Sequence, residues 1–476
     1  MEPQHKGAKR GFWFLIATQF QGAFSDNAYK NVITLLALLT ASSEVQGNQR
    51  VSAIGALFIL PFLLFSMYGG FLADRYSKRS VTIWTKLVEV VIMILATIAF
   101  WHGNLYFSMA LLFLTGAQAA FFSPSKYGIL PELLPEKELS WGNGVLELTT
   151  FVAIILGTVA GAFPVEHLRS KLYLAGIALT ILALAGVVTS LAITPVPAAN
   201  PKASFHRNFV KDVWRNLSLA RRDRVLWLAI LGNIYFWFLG FLFQLNIILL
   251  GKDQLHLPET RIGYLLAILA VGIGLGSYVA GYLSHSKIEY GLVPLGSAGL
   301  ALFATALAFY ATTFPQTGVL LAAVGFSAGF FAVPVNALIQ HRPQPESKGA
   351  MIAAANLMTF IGMLISAGVY WIVTVHLRWS PSQIFLLTGC ITAAVTVYLC
   401  VLLPEALLRF CLWVLVHTVY RIRVIGRDNI PERGGALFVC NHLSFVDALL
   451  LLASTDRRVR FVMFKGFYDR KFIRPF

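Results

Sequence analysis

The sequence predicts an all-α membrane protein of twelve spanning helices in two six-helix halves, followed by the start of an α/β domain. Three observations predict it: composition, the spacing of long apolar runs, and an internal repeat. Hydrophobic residues make up 57% of the 476 positions and charged residues only 13%. The mean hydropathy is +0.70, beyond the range of a soluble globular domain. In a soluble chain a net charge of +16 would suggest nucleic acid. Here the cations fall in short loops between apolar runs, the footprint of the positive-inside rule, and a nucleic-acid partner is excluded.

A helix needs about 20 apolar residues to cross the bilayer core. Stretches of that length centre on Asn27, Leu63, Met93, Phe113, Ile154, Ile181, Trp237, Ala270, Leu300, Val324, Ile361 and Thr392. The basic, Pro-containing segment between the sixth and seventh divides the chain. Residues 1–194 form the first half, 195–224 a cytoplasmic linker, 225–403 the second half and 404–476 a tail. With the N-terminus inside, eighteen lysines and arginines fall in inner loops against six in outer loops, which fixes the expected orientation. The opening MEPQHKGAKRG is expected to remain as a cytoplasmic cap.

The repeat supports two halves related by an axis along the membrane normal. GFLAD (Gly70 to Asp74) after the second span returns as GYLSH (Gly281 to His285) after the eighth, an offset of 211 residues. Phe121-Phe122 matches Phe330-Phe331, and Thr150-Phe151 matches Thr359-Phe360, both at 209.

In the first span, QFQGAFSDNAYKN places Asp26, Asn27 and Lys30 near mid-membrane, with Asp26 and Lys30 four apart on one face. A charge in hydrocarbon costs about 2.5 to 3.5 kcal/mol on insertion scales, so these side chains are expected to face a polar cavity. The alternative is a structural pair that neutralises itself. The third span adds Lys86 and Glu89, the fourth ends at Ser123, Pro124 and Lys126, and the fifth carries Asn143 and Glu147. The second half offers Asn233, Gln244, Asn246, Asn336, Gln340 and Asn356 but almost no charge. Unequal walls suit a substrate with a charged head and an apolar remainder. The candidate substrate-binding residues are Asp26, Asn27, Lys30, Glu89 and Lys126.

The loop GFLADRYSKR (Gly70 to Arg79) resembles the G-x-L-x-D-R-x-G-R-R signature between spans two and three of the major facilitator superfamily, with Ser77 in place of a glycine. Gly70 permits close helix approach, and Asp74 can accept hydrogen bonds from a helix N-terminus in the other half. Arg75, Lys78 and Arg79 can tie the loop to anionic headgroups. The resemblance implies the twelve-helix fold of that family and a conformational latch. His285 replaces the aspartate in the second copy, so the latch there is expected to be weakened or absent.

After Pro404 the apolar, Arg-flanked stretch reads as an interfacial helix. The polar turn GRDNIPERGG follows, then ALFVC as a short buried strand, then Asn441-His442. Ser444 can cap the next helix, with Asp447 three residues on. NHLSFVD (Asn441 to Asp447) resembles the His-x4-Asp block of the glycerolipid acyltransferase superfamily. It implies His442 as the base that takes a hydroxyl proton during attack on a thioester, and Asp447 as the group that orients its imidazole.

The order of parts resembles the bacterial fusion of a lysophospholipid transporter with an acyl-[acyl carrier protein]-phospholipid O-acyltransferase, the 2-acylglycerophosphoethanolamine acyltransferase system. GAFSDNAYKN, SPSKYGILPELLP, KIEYGLVPLG and NHLSFVDALLL carry the likeness. It implies inward movement of lysophospholipid across the bacterial inner membrane, with the N-terminus and tail cytoplasmic, and re-acylation by the attached domain. Acyl-[acyl carrier protein] or acyl-CoA would be the donor, acyl carrier protein a partner, and transport itself needs no cofactor or metal. The chain holds only the opening block of the enzyme, so it reads as C-terminally truncated and acyl transfer is expected of a longer parent. The competing readings are an exporter of drugs or small metabolites, and a membrane-anchored acyltransferase whose helices only recruit substrate.

Overall fold

The computed structural model describes residues 2–203, 209–284 and 288–403. In the tail it describes 408, 412, 425–426, 429–431, 434–441, 443–444, 446–455 and 459–462. The first six helices are α1 (Glu2–Leu39), α2 (Glu44–Arg75), α3 (Lys78–Trp101), α4 (Leu105–Leu133), α5 (Leu139–His167) and α6 (Tyr173–Leu191). A shorter helix follows, α7 (Phe209–Arg222). The second set is α8 (Arg224–Leu249), α9 (Glu259–Leu283), α10 (Leu292–Tyr310), α11 (Phe314–His341), α12 (Lys348–Trp371) and α13 (Pro381–Leu402), with α14 (Val446–Ser454) in the tail.

Eleven helices among the described residues are long and apolar enough to cross a membrane. The twelfth expected span, α1, has the length, but Gln19, Gln21, Asp26, Asn27, Lys30 and Asn31 interrupt its apolar run, and it is not among the eleven. The linker expected over 195–224 contains α7 and yields its last residue to α8. Helix starts follow local chemistry. Ser43 caps α2 through Gln46 N, Asn104 caps α4 through Phe107 N, and Asp223 caps α8 through Val225 N and Leu226 N. Ser380 and Gln383 form a reciprocal capping box at α13.

Each half has its own apolar interior. Tyr29, Ile33, Met93, Leu111 and Leu112 pack together in the first half, and Phe12, Leu15, Ile129, Leu130 and Leu146 form a second cluster there. Ile230, Phe243, Leu265, Leu321 and Phe385 belong to the core of the second half. Large apolar residues such as Val91, Ile181, Leu302 and Val397 are left exposed on the outer faces, as lipid-bathed helices require.

The halves meet where helices lack side chains. Gly144 of α5 lies against the Ser277 carbonyl and Gly281 of α9, and Gly281 in turn faces the Ser140 carbonyl. Gly70 of α2 abuts Gly349 and Ala353 of α12. These contacts lie toward one end of the bundle, the end carrying the α2–α3, α4–α5 and α11–α12 connections. Asn143 and Gln340 exchange hydrogen bonds there at 3.0 and 2.7 Å, and Glu136 pairs with His341 at 3.1 Å.

In the tail, residues 436–440, expected as a strand, are not in a strand, because no partner strand lies beside them among the described residues. The interfacial helix expected after Pro404 lies outside the described residues apart from 408 and 412, and His285 also lies outside them.

Candidate functional site

A cavity of about 300 Å³ lies between the halves. Gln19, Asp26, Lys86, Gln118, Ser123 and Lys126 supply polar groups from the first half. Asn233, Asn336, Gln340, Asn356 and Thr359 supply uncharged ones from the second. Phe58, Phe62, Trp237, Phe360 and Met363 line the remainder. Every charge on the wall therefore comes from α1, α3 and α4. Phe62 of α2 and Phe360 of α12 stack across the seam with centroids 4.5 Å apart.

Asp26 reaches this cavity because the helical turn puts it on the same face as Gln19, Gly22 and Ala23. Its Oδ1 is shielded from solvent and has no hydrogen-bond partner. Among the described residues no ion pair joins Asp26 to Lys30. Lys30 Nζ instead lies 5.0 Å from the centroid of the Phe58 ring, and Lys126 Nζ lies 4.5 Å from that of Tyr127. The cations of α1 and α4 thus lie over aromatic faces, and Lys126, which lines the cavity, is placed to meet an anion. Asn27 donates to the Ala23 carbonyl within α1 at 2.8 Å and does not line the cavity, nor does Lys30.

Glu89 is placed differently from the wall position the sequence suggested. Its Oε2 pairs with Lys86 Nζ at 2.7 Å and its Oε1 accepts from Gln21 Nε2 at 2.8 Å. Lys86 also donates to Gln21 Oε1 at 2.9 Å, and Gln21 Nε2 reaches Ser25. Both charged side chains of this cluster are buried, with Lys86 at the cavity edge and Glu89 behind it. A buried ion pair of this kind holds only when its remaining donors and acceptors are satisfied, and Gln21 does that for both.

The signature loop sits at the joined end. Asp74 accepts from Gly349 N at 2.6 Å and from Ala350 N at 2.8 Å, where the first turn of α12 leaves amides without intrahelical acceptors. Gly70 allows this approach, since a Cβ there would collide with Ala353 and the Gly349 carbonyl. Lys78 is buried against Glu132 at 2.5 Å, Arg75 donates to the Ala203 carbonyl at 3.2 Å, and Arg79 donates to the Leu191 carbonyl at 2.7 Å. The basic side chains of this loop thus bond to the protein. Two further links cross the seam, Asn336 to Glu147 at 3.3 Å and Asn356 to Ser123 at 3.0 Å.

His442 lies outside the described residues. Asp447, in the first turn of α14, accepts from Leu443 N at 2.6 Å and Ser444 N at 2.7 Å through Oδ2, while Ser444 Oγ accepts from Val446 N at 3.4 Å. This is the reciprocal bonding of a helix start.

The sequence reading overlooked Gln19, Gln118, Thr359 and the aromatic lining. The signal for Gln19 was its place seven residues before Asp26, on the same helical face; nothing local marked the aromatics among so many others.

Residues 16–367 match the family model of the Major Facilitator Superfamily, and residues 421–476 match the Acyltransferase model. The lysophospholipid transporter LplT of Citrobacter koseri is 31% identical over 366 residues, which span 76% of this chain and 88% of that protein. The LplT of Escherichia coli strain SE11 is 30% identical over 373 residues with the same coverage. Among solved structures, FucP in its outward conformation superposes with a TM-score of 0.65 at 14% identity over 83% of this chain and 98% of that one. The human organic anion transporter MFSD10 gives 0.66 at 13% identity, over 84% and 100%. A bacterial homologue of ferroportin in its outward-facing state gives 0.59 at 16% identity, over 82% and 99%.

Proposed function

Because the chain belongs to the major facilitator superfamily, we propose that its spanning part carries lysophospholipid inward across a bacterial cytoplasmic membrane and that its tail belongs to the enzyme that re-acylates the cargo. The observation that carries this reading is the asymmetry of the central cavity: charged on the first-half wall, uncharged and partly aromatic on the second. A zwitterionic headgroup has the complementary shape of charge. Its phosphate would meet Lys126 and Lys86, and its ammonium would meet the unpartnered Oδ1 of Asp26. The single acyl chain would lie along Phe58, Phe62, Trp237 and Phe360. The likeness to LplT over most of both chains supports the same cargo class.

The joined end, with Asp74 on the amides of α12 and Asn143 on Gln340, is read as the cytoplasmic end by the distribution of cations in the loops. Delivery would require those contacts to part while the opposite end closes. In the tail, His442 would take the proton of the lysolipid hydroxyl as its oxygen attacks the thioester carbonyl. The carbon–sulfur bond would then break and release the donor thiol, with acyl-[acyl carrier protein] or acyl-CoA as donor.

Reconstitution in liposomes with labelled lysophosphatidylethanolamine beside its diacyl counterpart tests the transport step. Selective inward movement of the single-chain lipid supports the reading. No movement of either lipid in folded protein overturns it in favour of a small-molecule exporter.

A further inference from the structure

The segment joining the two halves is bonded to the seam it spans. Asn200 N donates to the Asp74 carbonyl at 2.8 Å, on the residue whose side chain holds the amides of α12. Arg75 fixes the same segment through the Ala203 carbonyl. Farther on, α7 turns one stripe inward. Val213 packs against an apolar cluster in which Met67 from α2 meets Ala353, Ala354 and Leu357 from α12, so α7 is seated on the seam. Asn216, Leu217 and Ala220 continue that stripe at helical spacing and are buried.

The opposite stripe has different chemistry. Lys211, Trp214, Arg215, Ser218 and Arg222 recur at three- and four-residue intervals and are exposed, and Leu219 and Arg221 flank them. Arg221 is sandwiched between Trp214, 5.7 Å away, and Trp227 of α8, 4.8 Å away. Asp212, paired with Arg215 at 3.2 Å, is the single acidic residue of the helix. Basic residues interleaved with an exposed Trp and Leu on one face of a helix about 21 Å long are what a helix needs to lie on anionic headgroups.

We propose that the exposed face of α7 binds the anionic phospholipid surface, and that this binding holds the inter-half strap on the joined seam. The occupant is a layer of acidic lipid headgroups, chosen over a protein partner because Lys211, Arg215, Arg221 and Arg222 outweigh the one acid, Asp212, and an exposed Trp lies among them. Since the strap is bonded to the first half at Asp74 and Arg75 while α7 packs on the apolar cluster that α2 and α12 form together, membrane charge then favours the joined arrangement. This goes beyond cargo recognition, because the cavity plays no part in it.

The test uses the full chain in phosphatidylcholine/phosphatidylethanolamine liposomes with and without phosphatidylglycerol. An environment-sensitive dye is placed on Ser218→Cys in a background free of native cysteines. Addition of phosphatidylglycerol is expected to shift the dye emission to the blue, and Arg215→Gln/Arg221→Gln/Arg222→Gln is expected to abolish that shift. Each neutralised cation at such a surface weakens binding on the order of fivefold. The charge-keeping Arg215→Lys/Arg222→Lys variant, which controls for folding, is expected to retain the shift. A spin-label pair across the seam, on Tyr76 and Glu346, is expected to report a larger joined fraction with phosphatidylglycerol in the wild type only. A dye response indifferent to phosphatidylglycerol, or a seam distance that changes equally in the neutralised variant, overturns the proposal. Either result would point instead to a protein partner for this face.

Discussion

Asp74 accepts the Gly349 amide at 2.6 Å, so a carboxylate closing one half of the bundle is bonded to the first turn of a helix in the other. Charge-assisted bonds to buried groups are worth roughly 1.5 to 3 kcal/mol, and Asp74 makes two. Asp74→Asn keeps the size and loses the charge. It is expected to shift the equilibrium about tenfold or more toward the parted state, read as a longer distance between spin labels on Tyr76 and Glu346. An unchanged distribution would deny the carboxylate a latching role.

Asp26 is the carboxylate with an unpartnered oxygen in the cavity wall. A hydrogen bond from a substrate ammonium to a carboxylate is worth about 1.5 to 3 kcal/mol. Asp26→Asn should therefore slow lysophosphatidylethanolamine uptake about tenfold or more while leaving the melting temperature near wild type. Full uptake by that variant would remove Asp26 from recognition.

Lys86 and Glu89 stabilise one another in a buried setting, so removing one partner is worse than removing both. Lys86→Ala leaves Glu89 with an uncompensated charge and is expected to cost about 3 to 5 kcal/mol. Lys86→Met with Glu89→Leu keeps volume and removes both charges, and should recover most of the loss. Thermal unfolding in detergent measures the difference; equal destabilisation by the single and double variants would show that the pair is not the reason.

A side chain cannot be added at Gly144 without overlapping the Ser277 carbonyl. Gly144→Val should fold, because each half keeps its own core, yet fail to join at this end. Its expected signature is a cysteine at Asn143 that reacts with a water-soluble thiol reagent at least about tenfold faster than in the Gly144 protein, a shift of about 1.4 kcal/mol.

Asp223, just before α8, accepts two bonds from Arg342 at 2.9 Å, and that guanidinium holds its carboxyl below the usual range. A depressed carboxylate contributes stability that is present above its unfolded value, near 3.9, and is lost as pH falls through the folded one. Both side chains are about one-third exposed, so the contribution is about 0.5 kcal/mol after solvent screening. Asp223→Asn should melt slightly lower than wild type at constant offset from pH 5 to 8, and the offset should vanish in strong acid. An offset that grows with acidity would reverse the sign.

Much of the helical scaffold could be read in advance because apolar runs of fixed length leave few alternatives. α1 could be read as a span centred on Asn27 although polar residues interrupt its apolar run, because several of those residues face the interior. α7 was hidden because its apolar stripe, Val213 to Ala220, is short and buried among arginines. The meeting of Asp74 with a helix N-terminus was expected from the resemblance of Gly70 to Arg79 to the signature loop of the family. That Glu89 turns to Gln21 and Lys86 did not, since periodicity places a residue on a face but does not choose among partners from three helices. Likewise the side chains of Arg75 and Arg79 find backbone carbonyls within reach, on the strap at Ala203 and at the end of α6 at Leu191.

The glycine contacts at the joined end also bear on how readily it can part. Where Gly144 meets Gly281 and Gly70 meets Gly349, backbone lies against backbone and few side chains interlock. Where glycine faces glycine, the two surfaces separate like smooth plates, and no knob must be withdrawn from a hole. At these glycine contacts the hold therefore resides in the neighbouring polar links, each of which can be released and remade without withdrawing a side chain from the facing helix.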